Sequence, residues 1–132
     1  FEENIEKIKK TSENIEFKFI ESDFRKVNYK EIGNFNIYCY DALHDEKSQF
    51  EGIEIAQPAL DDIFILIIDD WNWQEVRNGT LKAIEKLNIS IISKIEIKTT
   101  QDNSIPKLFL GQYSDWHNGY FIAVCEKEKV KK

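Results

Sequence analysis

A chain of 132 residues with 42% hydrophobic and 13% aromatic residues has material for one domain around a single core. Its net charge of −6 disfavours a phosphate track for nucleic acid, and no apolar run nears the roughly 20 residues of a membrane helix. Cys39 and Cys125 lie in apolar runs without CxxC spacing. They predict two buried, reduced thiols in a cytoplasmic protein, and neither a zinc knuckle nor a dithiol redox site.

The chain begins Phe1-Glu2-Glu3 and holds no methionine, which points to a missing N-terminal portion. Asn4 to Thr11 reads as the end of a helix, with Ile5 and Ile8 at helical spacing. Ile15 to Ile20 (IEFKFI) alternates apolar and polar residues and predicts a strand that turns at Glu21-Ser22-Asp23. A polar connector, Tyr29 to Asn34, leads to a second strand, Phe35 to Tyr40 (FNIYCY), which ends at Asp41-Ala42-Leu43-His44. Asp45 is placed to cap a helix whose buried face is Phe50, Ile53, Ala56 and Leu60, and Pro58 should end or kink it.

Ile63 to Ile68 (IFILII) is apolar at every position, the pattern of a strand covered on both faces. It stops at Asp69-Asp70-Trp71. Trp73 to Leu87 predicts a helix with Val76, Thr80, Ala83 and Leu87 on one face. Ile89 to Lys98 predicts a strand, Thr99 to Gly119 an irregular excursion, and Tyr120 to Cys125 a last strand before the charged tail 126–132. The order α-β-β-α-β-α-β-β predicts one α/β domain. Its architecture is a partial Rossmann-like open sheet, mostly parallel with a C-terminal antiparallel hairpin, and with helices on both faces.

In such a sheet, ligands bind beyond the C-terminal ends of the strands. Three predicted strands end in acidic groups: Glu21-Ser22-Asp23, Asp41 with His44, and Asp69-Asp70. Adjacent parallel strands lie about 5 Å apart, so Asp41 and the Asp69/Asp70 pair can converge. Crowded carboxylates favour a neutralising cation, and oxygen ligands suit a hard divalent ion. The plainer alternatives are that Asp70 caps the following helix, Asp41 serves a turn and His44 lies on the surface. Trp71, Trp73 and Trp116 read as packing residues.

The stretch from Phe35 to His44 resembles the fourth strand of class I S-adenosylmethionine-dependent methyltransferases. Ile63 to Trp71 (IFILIIDDW) resembles their fifth, and the terminal hairpin their sixth and seventh. The acidic pattern is similar to that of the metal-dependent O-methyltransferases of the catechol and macrolide-sugar type, over Ile15 to Glu126. That resemblance implies Asp41, Asp69 and Asp70 as ligands of Mg2+ or a similar ion. It implies His44 as the catalytic base toward a small-molecule hydroxyl acceptor. Asp23 and Phe24 would line the adenine pocket of S-adenosylmethionine, and the sheet order would be 3-2-1-4-5-7-6.

The family's Gly-rich cofactor loop is missing: Gly33, Gly52, Gly79, Gly111 and Gly119 include no G-x-G. The expectation is therefore the C-terminal half of such a methyltransferase, inactive by itself. Bare sheet edges would make it a homodimer or larger assembly, with Ile15 to Ile20 sliding beside Phe35 to Tyr40 in its own chain. The alternatives are a non-catalytic association module or another acidic-site α/β enzyme.

Overall fold

The computed structural model describes residues 2–11, 14–104 and 116–128. In chain order they form α1 (Glu2–Thr11), β1 (Phe35–Tyr40), α2 (Glu46–Ala56), β2 (Leu60–Asp69), α3 (Gln74–Lys86), β3 (Ser90–Ile97) and β4 (Tyr120–Glu126). The strands make one open sheet in the order β1-β2-β4-β3. β1 and β2 are parallel, while β4 runs antiparallel to both of its neighbours. The α/β class and the C-terminal antiparallel pair agree with the sequence reading. The parallel part is the β1–β2 pair.

Local chemistry sets the helix limits. The Asp45 carboxylate accepts the Ser48 N–H at 2.9 Å and so caps α2. Pro58 follows in a 3-10 turn, Gln57–Ala59, where the chain leaves the helix. α3 closes on Asn88, whose φ of 51° puts it in the left-handed region that Asn tolerates. The Asn88 and Ile89 N–H groups turn back to the carbonyls of Glu85 and Ile84. The last turn therefore keeps its hydrogen bonds without a glycine.

The core lies on one face of the sheet. Phe64, Leu66 and Ile68 of β2 alternate inward, beside Cys125, Ala123 and Phe121 of β4. They meet Ile53 of α2, Val76, Ala83 and Ile84 of α3, and Tyr40 and Trp71. α2 and α3 also pack on each other. Gly79 brings α3 against Glu46 and Gln49, and the buried Gln49 amide donates to the Thr80 hydroxyl at 3.2 Å.

The opposite face differs from what the sequence predicts. The uninterrupted apolar run of β2 suggested burial on both sides. Ile63 is instead 53% exposed, and Ile65 and Ile67 are half-buried. Register places Ile37 of β1, Ile122 and Val124 of β4, and Ile95 of β3 on this same open face. Ile37 and Ile95 are 55% and 60% exposed. Hydrophobic content alone does not say which face a helix will cover.

Two further expectations change. Residues 15–20 are not a strand, and Ile15, Phe17, Phe19 and Ile20 are exposed. The segment is not a strand of the sheet, because alternation specifies a surface and not a place beside β1. Cys125 is buried as predicted, and burial pushes its thiol up to about 11. Cys39 is exposed, on the open face. No described helix is long and apolar enough to cross a membrane.

Gly52 lets α2 sit against the Tyr40 ring, with which any Cβ would collide, and the Tyr40 hydroxyl donates to the Ser48 carbonyl at 3.0 Å. Gly52→Ala should therefore destabilise the chain by about 1–3 kcal/mol in urea unfolding, the usual cost of overpacking. An unchanged midpoint would show that α2 is free to shift.

Candidate metal centre at the strand ends

The parallel pairing of β1 and β2 brings their C-terminal ends to one edge, with Tyr40 opposite Ile68. Asp41 follows β1 directly. Asp69 is the last residue of β2, and at Asp70 the chain turns away through a left-handed conformation with φ 56°. A non-glycine residue pays for that conformation, and Asp and Asn do so most readily. Asp70 is only 7% exposed.

The polar groups of Asp70 are committed one by one. Its N–H donates to Asp69 Oδ1 at 2.7 Å, and its carbonyl accepts the Trp73 N–H at 3.0 Å. Its Oδ1 accepts the Asn118 side-chain amide at 2.5 Å. Oδ2 faces His44, with Nε2 at 2.6 Å. That last contact has the distance of an ion pair but lacks hydrogen-bond alignment, so Nε2 is buried without a hydrogen-bond partner. Asp41 Oδ1 lies 4.0 Å from the same nitrogen. The Trp73 ring meets the imidazole edge-on at 4.8 Å and limits its rotation.

One donor atom each from Asp41, His44 and Asp70 therefore lie within 4.8 Å of one another. Donors about 2.1 Å from one ion span up to about 4.2 Å, so small side-chain rotations would seat all three. The chemistry of the set, two carboxylates and one imidazole, fits a divalent cation.

Three of the residues singled out from sequence thus come together, and the others do not join them. Asp69 accepts the Asp70 N–H and stays outside the group. Burial pushes its carboxyl up, against the pull of the Asp70 N–H, and the charges of Asp70 and Asp41 push it further. Asp23 accepts the Arg25 N–H at 3.0 Å and caps a 3-10 turn, Phe24–Lys26. The Phe24 ring meets Tyr40 edge-on at 5.8 Å and lies under the Arg25 guanidinium. Arg25 ties this segment to α2 through Glu51 and Ser48, each at 2.9 Å.

Two asparagines escaped the sequence reading. Asn72, fully buried, accepts the Thr99 N–H at 2.9 Å and donates to the Thr99 hydroxyl at 2.7 Å. Asn118 is 6% exposed and touches Asp70 directly. Their only sequence signal is polarity within or beside an irregular stretch. Of the tryptophans, Trp71 stacks on Phe121 in the core, Trp73 packs on His44, and Trp116 is exposed.

No family model, curated protein or solved structure matches this chain.

The raised Asp69 carboxyl carries a stability consequence. Its folded state holds the proton more tightly than the unfolded chain does. Stability should therefore fall as pH rises from the ordinary carboxylate range through the raised value, above which the cost is fully present. Asp69→Asn keeps the carbonyl acceptor for Asp70 and cannot ionise. It should raise the thermal midpoint at pH 7 and flatten the pH dependence in that window. A midpoint lowered at pH 7 would show that the ionised carboxylate is needed.

Proposed function

We propose that this chain corresponds to the C-terminal half of a class I S-adenosylmethionine-dependent methyltransferase domain, with a divalent-cation site at Asp41, His44 and Asp70. The observation that carries the site is the convergence of those three donors from two parallel strand ends. The strand order β1-β2-β4-β3 supports the family reading. It is the order 4-5-7-6 that the resemblance implies for the last four strands, with the antiparallel pair β3–β4 where the terminal hairpin was expected.

A divalent cation bound here would supply Lewis acidity, lowering the pKa of a coordinated acceptor hydroxyl. Asp41 and Asp70 provide the negative charge that retains the ion. His44, between them, serves as a ligand rather than as the free base expected from sequence. Its nitrogen tilts preference from magnesium toward manganese or other transition ions.

Among the described residues, those expected to approach S-adenosylmethionine are engaged elsewhere. Gly52 and Gly79 are consumed by packing within the fold, and Asp23 and Phe24 by capping and by contact with Tyr40. Calorimetric titration tests both halves of the reading. Mn2+ should bind, and Asp70→Asn should weaken it at least tenfold. S-adenosylmethionine should bind no tighter than about millimolar, near −4 kcal/mol. Absent Mn2+ binding, or equal affinity in the variant, would remove the metal site.

A second reading concerns assembly. The β1 strand, FNIYCY, pairs only with β2 among the described residues, and it carries no lysine or proline to guard its free edge. The open isoleucine face adds apolar surface. We propose that the chain self-associates as a homodimer or larger assembly, in the cytoplasm, where its two free thiols stay reduced. Light scattering at micromolar concentration should give a mass above the 15.6 kDa of one chain. A clean monomer would defeat this reading.

A further inference from the structure

Asn118 combines burial, a direct contact with Asp70 and an unsatisfied atom. It is 6% exposed, its Nδ2 donates to Asp70 Oδ1 at 2.5 Å, and its Oδ1 is buried with no hydrogen-bond partner. The amide orientation follows from chemistry, since the opposite one would set two oxygens against each other. An orphaned buried acceptor is costly, and its neighbour here is the carboxylate of the candidate metal centre.

The turn that carries Asn118 is built for placement. The Asn118 carbonyl accepts the Asn72 N–H at 2.7 Å, and the Gly119 carbonyl accepts the Trp71 N–H at 3.2 Å. Gly119 has φ 83° and passes so close to the Ile97 carbonyl that no side chain fits. Thr99 holds the same turn by donating its hydroxyl to the His117 carbonyl at 2.5 Å. The turn before β4 and the turn after β2 are thus locked together, with the Asn118 amide aimed at one oxygen of Asp70.

We infer that Asn118 is a positioning residue of the cation site, engaging Asp70 Oδ1 so that Oδ2 stays directed toward His44 and the ion. The inference rests on the proposed metal reading. Without Asn118, the Asp70 carboxylate can rotate, and Oδ2 loses its fixed aim. Partners of metal ligands act in this way, and their removal typically costs about 10–100-fold in affinity.

The test is Mn2+ affinity, measured by the electron paramagnetic resonance signal of free Mn2+, alongside the metal-free thermal midpoint. Asn118→Leu keeps approximate volume and removes both the donor and the orphaned acceptor. Asn118→Ala does the same with less bulk, should the leucine not fold. Thr99→Val is the control, loosening the same turn while sparing both donors to Asp70. The Asn118 variants should bind Mn2+ at least tenfold more weakly, with metal-free midpoints no lower than that of Thr99→Val, which keeps near-native affinity. Equal affinity in the Asn118 variants and the wild type would overturn the inference alone. Equal weakening by Thr99→Val would likewise overturn it, reducing Asn118 to a structural support. A wild type that binds no Mn2+ would overturn the metal reading beneath it as well.

Discussion

The acidic edge depends on how the chain leaves β2. The β2–β4 ladder ends at Asp69 opposite Tyr120, yet the pairing continues in altered form as Trp71 and Asn72 bond to Gly119 and Asn118. That pairing holds Asp70 in a left-handed conformation which costs an L residue about 1–2 kcal/mol. The cost is offset by satisfying the backbone N–H and carbonyl of Asp70 and one of its carboxylate oxygens. Buried Asn72 does the same for Thr99 and Thr100 across the gap. The rigidity of the site therefore comes from backbone groups that must be paired once they are buried.

The sheet behind this edge is supported from one side. α2 and α3 have room because Gly52 and Gly79 permit close approach, to Tyr40 and to each other's backbone. Tyr40 is the link between core and edge. Its ring is buried under α2 while its strand delivers Asp41 one residue later. A shift of α2 would thus move β1, and with it one of the three donors. The open face takes no part in this chain of contacts, and Ile37, Ile63 and Ile95 on it are each more than half exposed.

Much of this was legible in the sequence, for definite reasons. β1 appears at Phe35–Tyr40 as read, and β4 differs by one residue at its end. Both are short apolar runs bounded by Gly, Asn or Asp, where pattern and punctuation agree. Asp45 declared itself as a cap because the periodic helix begins directly after it. The failures share a different cause. Residues 15–20 have the alternation of a strand but do not form one, because alternation describes a surface and not a place in a sheet. The six apolar residues of β2 announced burial, yet could not say that only one face would be covered. Asp69 and Asp70 are adjacent in sequence, and alternation would send them to opposite faces. Which one enters the site was decided by the left-handed turn at Asp70 and by a partner 48 residues away.

That distant partner follows from topology. β1 and β2 both end at the acidic edge because they are parallel. An element after them in sequence could reach that edge with its own end or with its beginning. β4 is antiparallel to β2, so it begins where β2 ends. The turn that starts it, Trp116 to Gly119, is thereby brought to the carboxylates. A parallel β4 would have begun at the far edge and left Asp70 with solvent as its partner. The antiparallel strand between β2 and β3 is thus what gives the strand-end carboxylate a buried amide to lean on.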